Sequence, residues 1–140
     1  MKHFLCAARV HGTGIVVAHL VVALLHGVTH AKLAINLAFK GEVFVWLVVG
    51  LAPLIAMMLL WTSRYGLGLV LLAFAMTGSL LFGLYHHFLA PGPDHVGHQV
   101  AGPASALFAA SAYGLLVSEG LGAFCGLYYS LRLGLAGRHV

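Results

Sequence analysis

Four long apolar segments restrict the fold of this chain more than any other feature of its sequence. They cover about residues 12–35, 43–62, 67–90 and 104–131 of the 140 residues. The hydrocarbon core of a bilayer is about 30 Å thick, and a helix needs roughly 20 apolar residues to cross it. Because the apolar residues run continuously, they favour helices over the alternating strands of a transmembrane barrel. The sequence therefore predicts an all-α, integral membrane four-helix bundle, built as a single four-span transmembrane domain over residues 1–140.

The charge content supports the same fold class. Only 7% of the residues are charged, whereas a soluble domain usually carries about 25%. We therefore expect the lipid bilayer to surround most of the chain. The seven lysines and arginines outnumber the three acidic residues, but they are scattered near the ends of the apolar segments. Since they form no basic patch interleaved with aromatic residues, the sequence excludes nucleic acid as a partner.

The distribution of Lys and Arg predicts the orientation of the spans. One side of the predicted bundle carries Lys32 and Lys40. The other side, which holds both termini, carries Lys2, Arg9, Arg64, Arg132 and Arg138. Because cytoplasmic loops carry the excess of Lys and Arg, we expect both termini to be cytoplasmic. The loop 90–103, which contains neither residue type, then faces the extracytoplasmic side.

Ten histidines occur in the chain, and three of them lie inside the first apolar segment. His26 and His30 are four residues apart, which places both rings on one face of a helix. His19 lies on nearly the same face, about two turns deeper. An HxxxH pair on a helix lets both imidazoles bind one metal ion at about 2.0–2.1 Å. The alternative is that each imidazole bonds to a neighbouring helix, and the spacing does not decide between the two.

A second group of candidate ligands lies at the end of the third segment and in the loop after it. His86 and His87 end the segment, and adjacent residues on a helix point about 100° apart, so one ring can face the bundle while the other faces the interface. The loop adds Asp94, His95 and His98, and a carboxylate can bind a metal or orient an imidazole. Four spans bring these residues to the outer end of the first segment. We therefore predict a metal site near the extracytoplasmic face, with seven candidate ligands: His26, His30, His86, His87, Asp94, His95 and His98.

One acidic residue lies deep in an apolar segment. Glu119 is midway along the fourth segment, at the depth of His19. A carboxylate inside a membrane tends to mark a functional site. We predict that Glu119 is a catalytic residue that relays a proton or supports the metal ligands. The alternative is a protonated side chain that only forms a hydrogen bond.

These residues favour an integral membrane metalloprotein with a His-rich transition-metal site, acting as a redox or oxygen-activating enzyme or as a subunit of one. Imidazole and carboxylate ligands suit iron, copper or zinc and do not select among them. Enzymatic activity would depend on the metal alone, because the sequence has no nucleophile–base set, phosphate loop or nucleotide motif.

Three other functions remain open from the sequence. A haem b protein would use His26 and one of His86 or His87 as axial ligands and exchange electrons with quinone. A transporter of metal ions or protons would line its path with His19, Glu119 and the outer histidines. Four helices are few for a transporter, so a homo-oligomer would be expected. A structural subunit would use the histidines for packing within a larger membrane complex.

Overall fold

The computed structural model describes residues 2–136, and over that range it is all-helical, with 85% helix and no strand. The four helices are α1 (Lys2–Lys32), α2 (Phe39–Leu60), α3 (Tyr65–Leu89) and α4 (Pro103–Ala136). All four are long and apolar enough to cross a membrane, which confirms the predicted all-α class and the number of such helices. Arg138, one of the basic residues used to predict orientation, lies outside the described residues.

The helices pack so that each has two main neighbours. α4 packs on α3 and on α1, α3 also packs on α2, and the contact between α1 and α2 is the smallest of the four. Short connections between successive helices are typical of antiparallel neighbours. α1 and α3 are therefore diagonal to each other, and their side chains meet only at the centre of the bundle.

Apolar side chains fill the half of the bundle that carries the termini and also cover its outside. Two buried groups lie in that half: Ala8, Leu60, Leu69, Cys125 and Tyr129 form the first, and Val16, Ala56, Leu72 and Met76 form the second. Large apolar side chains such as Leu24, Phe74 and Phe124 are mostly exposed on the outer surface. Helices that are apolar on every face are typical of membrane spans.

Pro53 disturbs the middle of α2 and shapes the core beside it. Proline has no N–H to donate to the carbonyl one turn earlier, and α2 runs as a π-helix over Val45–Leu51, just before this residue. The carbonyl oxygen of Val49 accepts a hydrogen bond from the buried ring of His19, whose Nε2 lies 3.0 Å away. His19 thus satisfies a backbone group beside the proline, as a water-free core requires.

The end of α1 fixes the position of His30. The amide nitrogen of Ile35 lies 3.0 Å from the carbonyl oxygen of His30, and that of Ala34 lies 3.3 Å from the carbonyl oxygen of Ala31. These are the paired bonds of a Schellman motif. Ala34 takes the left-handed conformation that the motif requires, with φ of 50°, and Ile35 is buried. The chain therefore leaves the helix just after the turn that carries His30.

A glycine allows α4 to approach α3 closely. A Cβ atom at Gly126 would lie 2.5 Å from the backbone nitrogen of Ala73 and 2.9 Å from the carbonyl oxygen of Leu69. Backbone atoms cannot rotate away as a side chain can, so the two helices would have to separate. Small residues at helix contacts are common in membrane bundles for this reason.

We expect Gly126→Ala to destabilise the protein by about 1–3 kcal/mol, the usual cost of overpacking. Gly120→Ala on the same helix is the control, because a Cβ there would meet no heavy atom within 4 Å. Unfolding in detergent, followed by the circular dichroism of the helices, measures both variants. Equal stability of the two would show that α3 and α4 are not in close contact at Gly126.

Candidate metal centre

Three histidines and one aspartate converge inside the bundle, near the end opposite the termini. His26 and His30 come from α1, His87 from the end of α3, and Asp94 from the loop after it. One potential ligand atom from each residue lies within 4.8 Å of the others. His26, His87 and Asp94 are buried, and His30 is partly buried. We call these four residues the His–Asp cluster.

The spacing within the cluster is close to that of a metal site. The Nε2 atoms of His26 and His30 are 3.1 Å apart, and His30 Nε2 lies 3.1 Å from Oδ1 of Asp94. The rings of His26 and His87 meet edge to face, with centroids 4.7 Å apart. A tetrahedral ion with bonds of about 2.0–2.1 Å separates its ligand atoms by about 3.3 Å. An ion could therefore enter with small side-chain movements.

A π-helical turn selects which of two adjacent histidines joins the cluster. The last residues of α3, Tyr85–Leu89, form this turn, which closes with the amide nitrogen of Ala90 2.7 Å from the first carbonyl oxygen of the turn. His87 points into the core, whereas the ring of His86 packs on Phe82, with centroids 4.3 Å apart. The structure thus places His86, a predicted ligand, outside the cluster.

Hydrogen bonds orient the ring of His26 as a ligand would need. Nδ1 of His26 lies 2.9 Å from the hydroxyl oxygen of Ser111. The same hydroxyl lies 2.9 Å from the carbonyl oxygen of Phe108, to which it donates. With its proton on that carbonyl, Ser111 accepts from an N–H at Nδ1, and a neutral His26 then keeps a lone pair on Nε2, the atom facing His30. Ligating histidines usually donate their other ring N–H in this way.

Asp94 orients His87 and supplies the negative charge of the cluster. Nδ1 of His87 lies 3.1 Å from both the backbone oxygen and Oδ1 of Asp94, so an N–H there donates to Asp94. Burial alone would raise the pKa of Asp94, but the imidazoles of His30 and His87 hold that pKa well below its usual range. The carboxyl group is therefore ionised.

The carboxylate of Asp94 remains incompletely satisfied. Both of its oxygens are buried without a hydrogen bond of normal geometry, although Oδ1 is close to two imidazoles. The short distances and the missing hydrogen bonds are consistent, because distance alone does not align a donor with an acceptor. A buried anion in this position favours a cation.

The loop turns the two remaining predicted ligands away from the cluster. His95 uses both ring nitrogens locally: Nδ1 accepts from the N–H of Gly97 at 3.0 Å, and Nε2 lies 3.3 Å from the carbonyl oxygen of Phe88. His98 is exposed, and its ring centroid lies 5.8 Å from that of His95. The structure brings together His26, His30, His87 and Asp94 and places His86, His95 and His98 elsewhere.

Glu119 and His19 form a separate polar pair deeper in the bundle. Oε1 of Glu119 lies 4.0 Å from Nδ1 of His19, and both side chains are buried. Because Nε2 of His19 donates to a backbone carbonyl, Nδ1 carries a lone pair that faces the carboxyl group. The pair does not belong to the His–Asp cluster.

A cavity of about 380 Å³ extends from the His–Asp cluster to Glu119. Its walls include the whole cluster and the polar residues Asn36, Glu42, Ser79 and Glu119, together with apolar side chains from all four helices. The size and the mixture of an apolar wall with a few polar groups are typical of small-molecule sites. The cluster therefore borders a space that a second molecule can occupy.

Two residues of the site were not anticipated from the sequence. Ser111 orients His26, and the ring of Phe108 stacks on that of His26, with centroids 4.9 Å apart. A signal for both exists, since Phe108, Ser111, Leu115 and Glu119 follow helical spacing and mark one face of α4. That face points to the centre of the bundle.

No family model, curated protein or solved structure matches this chain. The fold and the site define a class, namely four membrane-length helices around a buried His–Asp group that could hold a metal ion. The function is therefore inferred from the geometry of the site.

We expect Ser111→Ala to weaken zinc binding by about 10–100-fold, the usual effect of losing a group that orients a ligand. Ser118→Ala is a matched control, because this buried serine on the same helix bonds only to the carbonyl of Leu115, at 3.1 Å. Competition with a chromophoric chelator measures both affinities. If the two variants bind zinc equally well, Ser111 does not set the orientation of His26.

Proposed function

We propose that this protein is an integral membrane metalloprotein that binds one transition-metal ion at the His–Asp cluster. The observation that carries the proposal is the convergence of three imidazoles and an ionised carboxylate from three separate segments, inside an apolar bundle. Buried groups of this kind are costly unless they have partners. A metal ion would satisfy all four at once.

The ligand types allow iron, copper or zinc. The cavity leaves room for a second molecule beside the ligands, which a structural ion would not need, and this supports a catalytic ion. In a redox or oxygen-activating enzyme, or a subunit of one, that ion would be iron or copper. A larger membrane complex or a homo-oligomer would provide the electron partner of such a reaction.

Glu119 is the catalytic residue of this proposal. It lines the cavity together with the His–Asp cluster, so a molecule held there would contact both. A carboxyl group in this position can exchange a proton with the bound molecule. His19 Nδ1, 4.0 Å from Oε1 of Glu119, would be a second proton acceptor close to the carboxyl group.

The geometry favours an ion over haem b. The rings of His26 and His87 are in contact, with centroids 4.7 Å apart. Axial ligands lie on opposite faces of a porphyrin, so a haem would have to separate these rings. His86, the other predicted axial ligand, packs on Phe82 instead.

The packing also favours a metal centre over a transport path. Val16, Ala56, Leu72 and Met76 are fully or almost fully buried and form an apolar layer towards the termini. Ions that reached Glu119 would therefore meet these buried apolar side chains on the way to the termini.

The bilayer and the predicted orientation complete the proposal. Each helix would cross the membrane once as part of one four-span domain, with both termini in the cytoplasm. The His–Asp cluster would then lie near the extracytoplasmic face. A metal ion would reach it from that side and not from the cytoplasm.

We expect detergent-purified protein to hold about one transition-metal ion per chain. His26→Ala, His30→Ala and His87→Ala should each lower the metal content strongly, because each removes one of few ligands. His86→Ala and His98→Ala are controls from the same end of the bundle. Elemental analysis gives the content and the identity of the metal, and circular dichroism shows that each variant is helical.

Two outcomes would contradict this prediction. Equal metal contents in all five variants would place any bound ion outside the His–Asp cluster. A Soret band in the optical spectrum that is lost in His26→Ala would show that the cluster binds haem and not a metal ion.

A further inference from the structure

The cavity beside the His–Asp cluster has a buried polar end and an apolar middle. The buried Ser79 and Glu119 line the polar end together with the cluster. Val45, Trp46 and Phe82 line the apolar part, and the exposed Asn36 and Glu42 line the cavity near the start of α2. A molecule that matches this distribution has one polar head and an apolar body.

The contact between α1 and α2 gives the cavity a side that faces outward. Gly27 of α1 and Trp46 of α2 both line the cavity and are both exposed, Trp46 by 77%. A Cβ at Gly27 would meet no heavy atom within 4 Å. This is also the smallest of the four main helix contacts. In a bilayer, such a gap between two helices opens towards lipid.

The hydrogen-bonding state of Ser79 specifies the head group. Its hydroxyl oxygen lies 2.9 Å from the carbonyl oxygen of Ala75, one turn earlier, and 3.5 Å from that of Val48. A hydroxyl has one proton, so while Ser79 donates to either carbonyl, its oxygen accepts from a molecule in the cavity. The carboxyl group of Glu119 has no hydrogen bond to another described residue, and it can accept a proton or, when protonated, donate one. A hydroxyl head group, which both donates and accepts, can satisfy Ser79 and Glu119 together.

We propose that the cavity binds an uncharged, lipid-soluble molecule with a hydroxyl head group, such as a phenol, a hydroquinone or a long-chain alcohol. The hydroxyl would donate towards Ser79 and Glu119, and the apolar body would lie between α1 and α2. This inference deepens the proposed function and rests on it in one respect, since it names the molecule that the metal would act on. Binding itself needs only the cavity.

Trp46 provides a direct measurement of occupancy. The chain has two tryptophans, and Trp61 is at the other end of α2, where its Nε1 donates to Thr13. In a Trp61→Phe background, Trp46 is therefore the single reporter. 4-Bromophenol is the probe, because its bromine quenches indole fluorescence, and 4-bromoanisole is the matched compound without the hydroxyl.

We expect 4-bromophenol to quench Trp46 saturably in protein that is reconstituted in phosphatidylcholine nanodiscs. 4-Bromoanisole should bind at least tenfold more weakly. Gly27→Leu, which places a side chain in the opening, should abolish the saturable quenching. Gly14→Leu is its control, because Gly14 is exposed on the same helix, has no neighbour within 4 Å and lies outside the cavity wall.

Ser79→Ala tests the head-group contact. It should weaken 4-bromophenol binding about tenfold and leave the weak binding of 4-bromoanisole unchanged, because only the phenol donates a proton. Equal quenching by the two compounds would overturn the assignment of a hydroxyl head group. Equal, non-saturable quenching in Gly27→Leu and Gly14→Leu would show partition into lipid and overturn the proposal.

Zinc titration of the same samples separates this inference from the proposed function. Saturable phenol binding without zinc binding would support the proposed cavity ligand and contradict the proposed metal centre. Zinc binding without saturable phenol binding would support the metal centre and contradict the proposed ligand class. Circular dichroism of Gly27→Leu shows whether the variant is folded, and Ser79→Ala provides an independent result if it is not.

Discussion

The burial of polar side chains in the apolar centre of the bundle is the constraint on which the site depends. A buried polar group is costly unless it has a hydrogen-bonding partner. His19 bonds to the backbone beside Pro53, His26 bonds to Ser111, and His87 donates to Asp94. Both oxygens of the Asp94 carboxylate lack a hydrogen bond of normal geometry, as does Nδ1 of His19. Asp94 is the acidic member of the His–Asp cluster, so a cation beside it would stabilise the buried carboxylate.

Local departures from regular helix geometry bring the residues of the His–Asp cluster together. One π-helical segment, Val45–Leu51, borders the cavity in α2, and another, Tyr85–Leu89, turns His87 inward. The left-handed residue Ala34 ends α1 beyond His30. π-Helical turns are uncommon and are often found at functional sites. Regular apolar packing in the other half of the bundle holds the helices in place and can offset the cost of these irregular segments.

The sequence predicted the helices and part of the cluster, and the reasons are physical. A long, continuous apolar segment in lipid forms a helix, so the four helices could be predicted from hydropathy alone. The pair His26 and His30 followed from helical spacing. The sequence could not predict that His87 and not His86 joins the cluster, because this depends on a π-helical turn that no residue pattern indicates. The loop residues depend on tertiary contacts, and Ser111 carried no chemical signal apart from its place on the inner face of α4.

An apolar layer lies between Glu119 and the termini, and it affects both proton movement and the binding of a molecule in the cavity. Val16, Leu72 and Met76 fill the core there, so buried apolar side chains lie between the cavity and the termini. A proton released at Glu119 then has two nearby destinations, the molecule in the cavity or Nδ1 of His19. In the proposed function, this layer would also keep a lipid-soluble molecule on the side of the metal ligands. Both consequences favour chemistry at the His–Asp cluster over conduction past it.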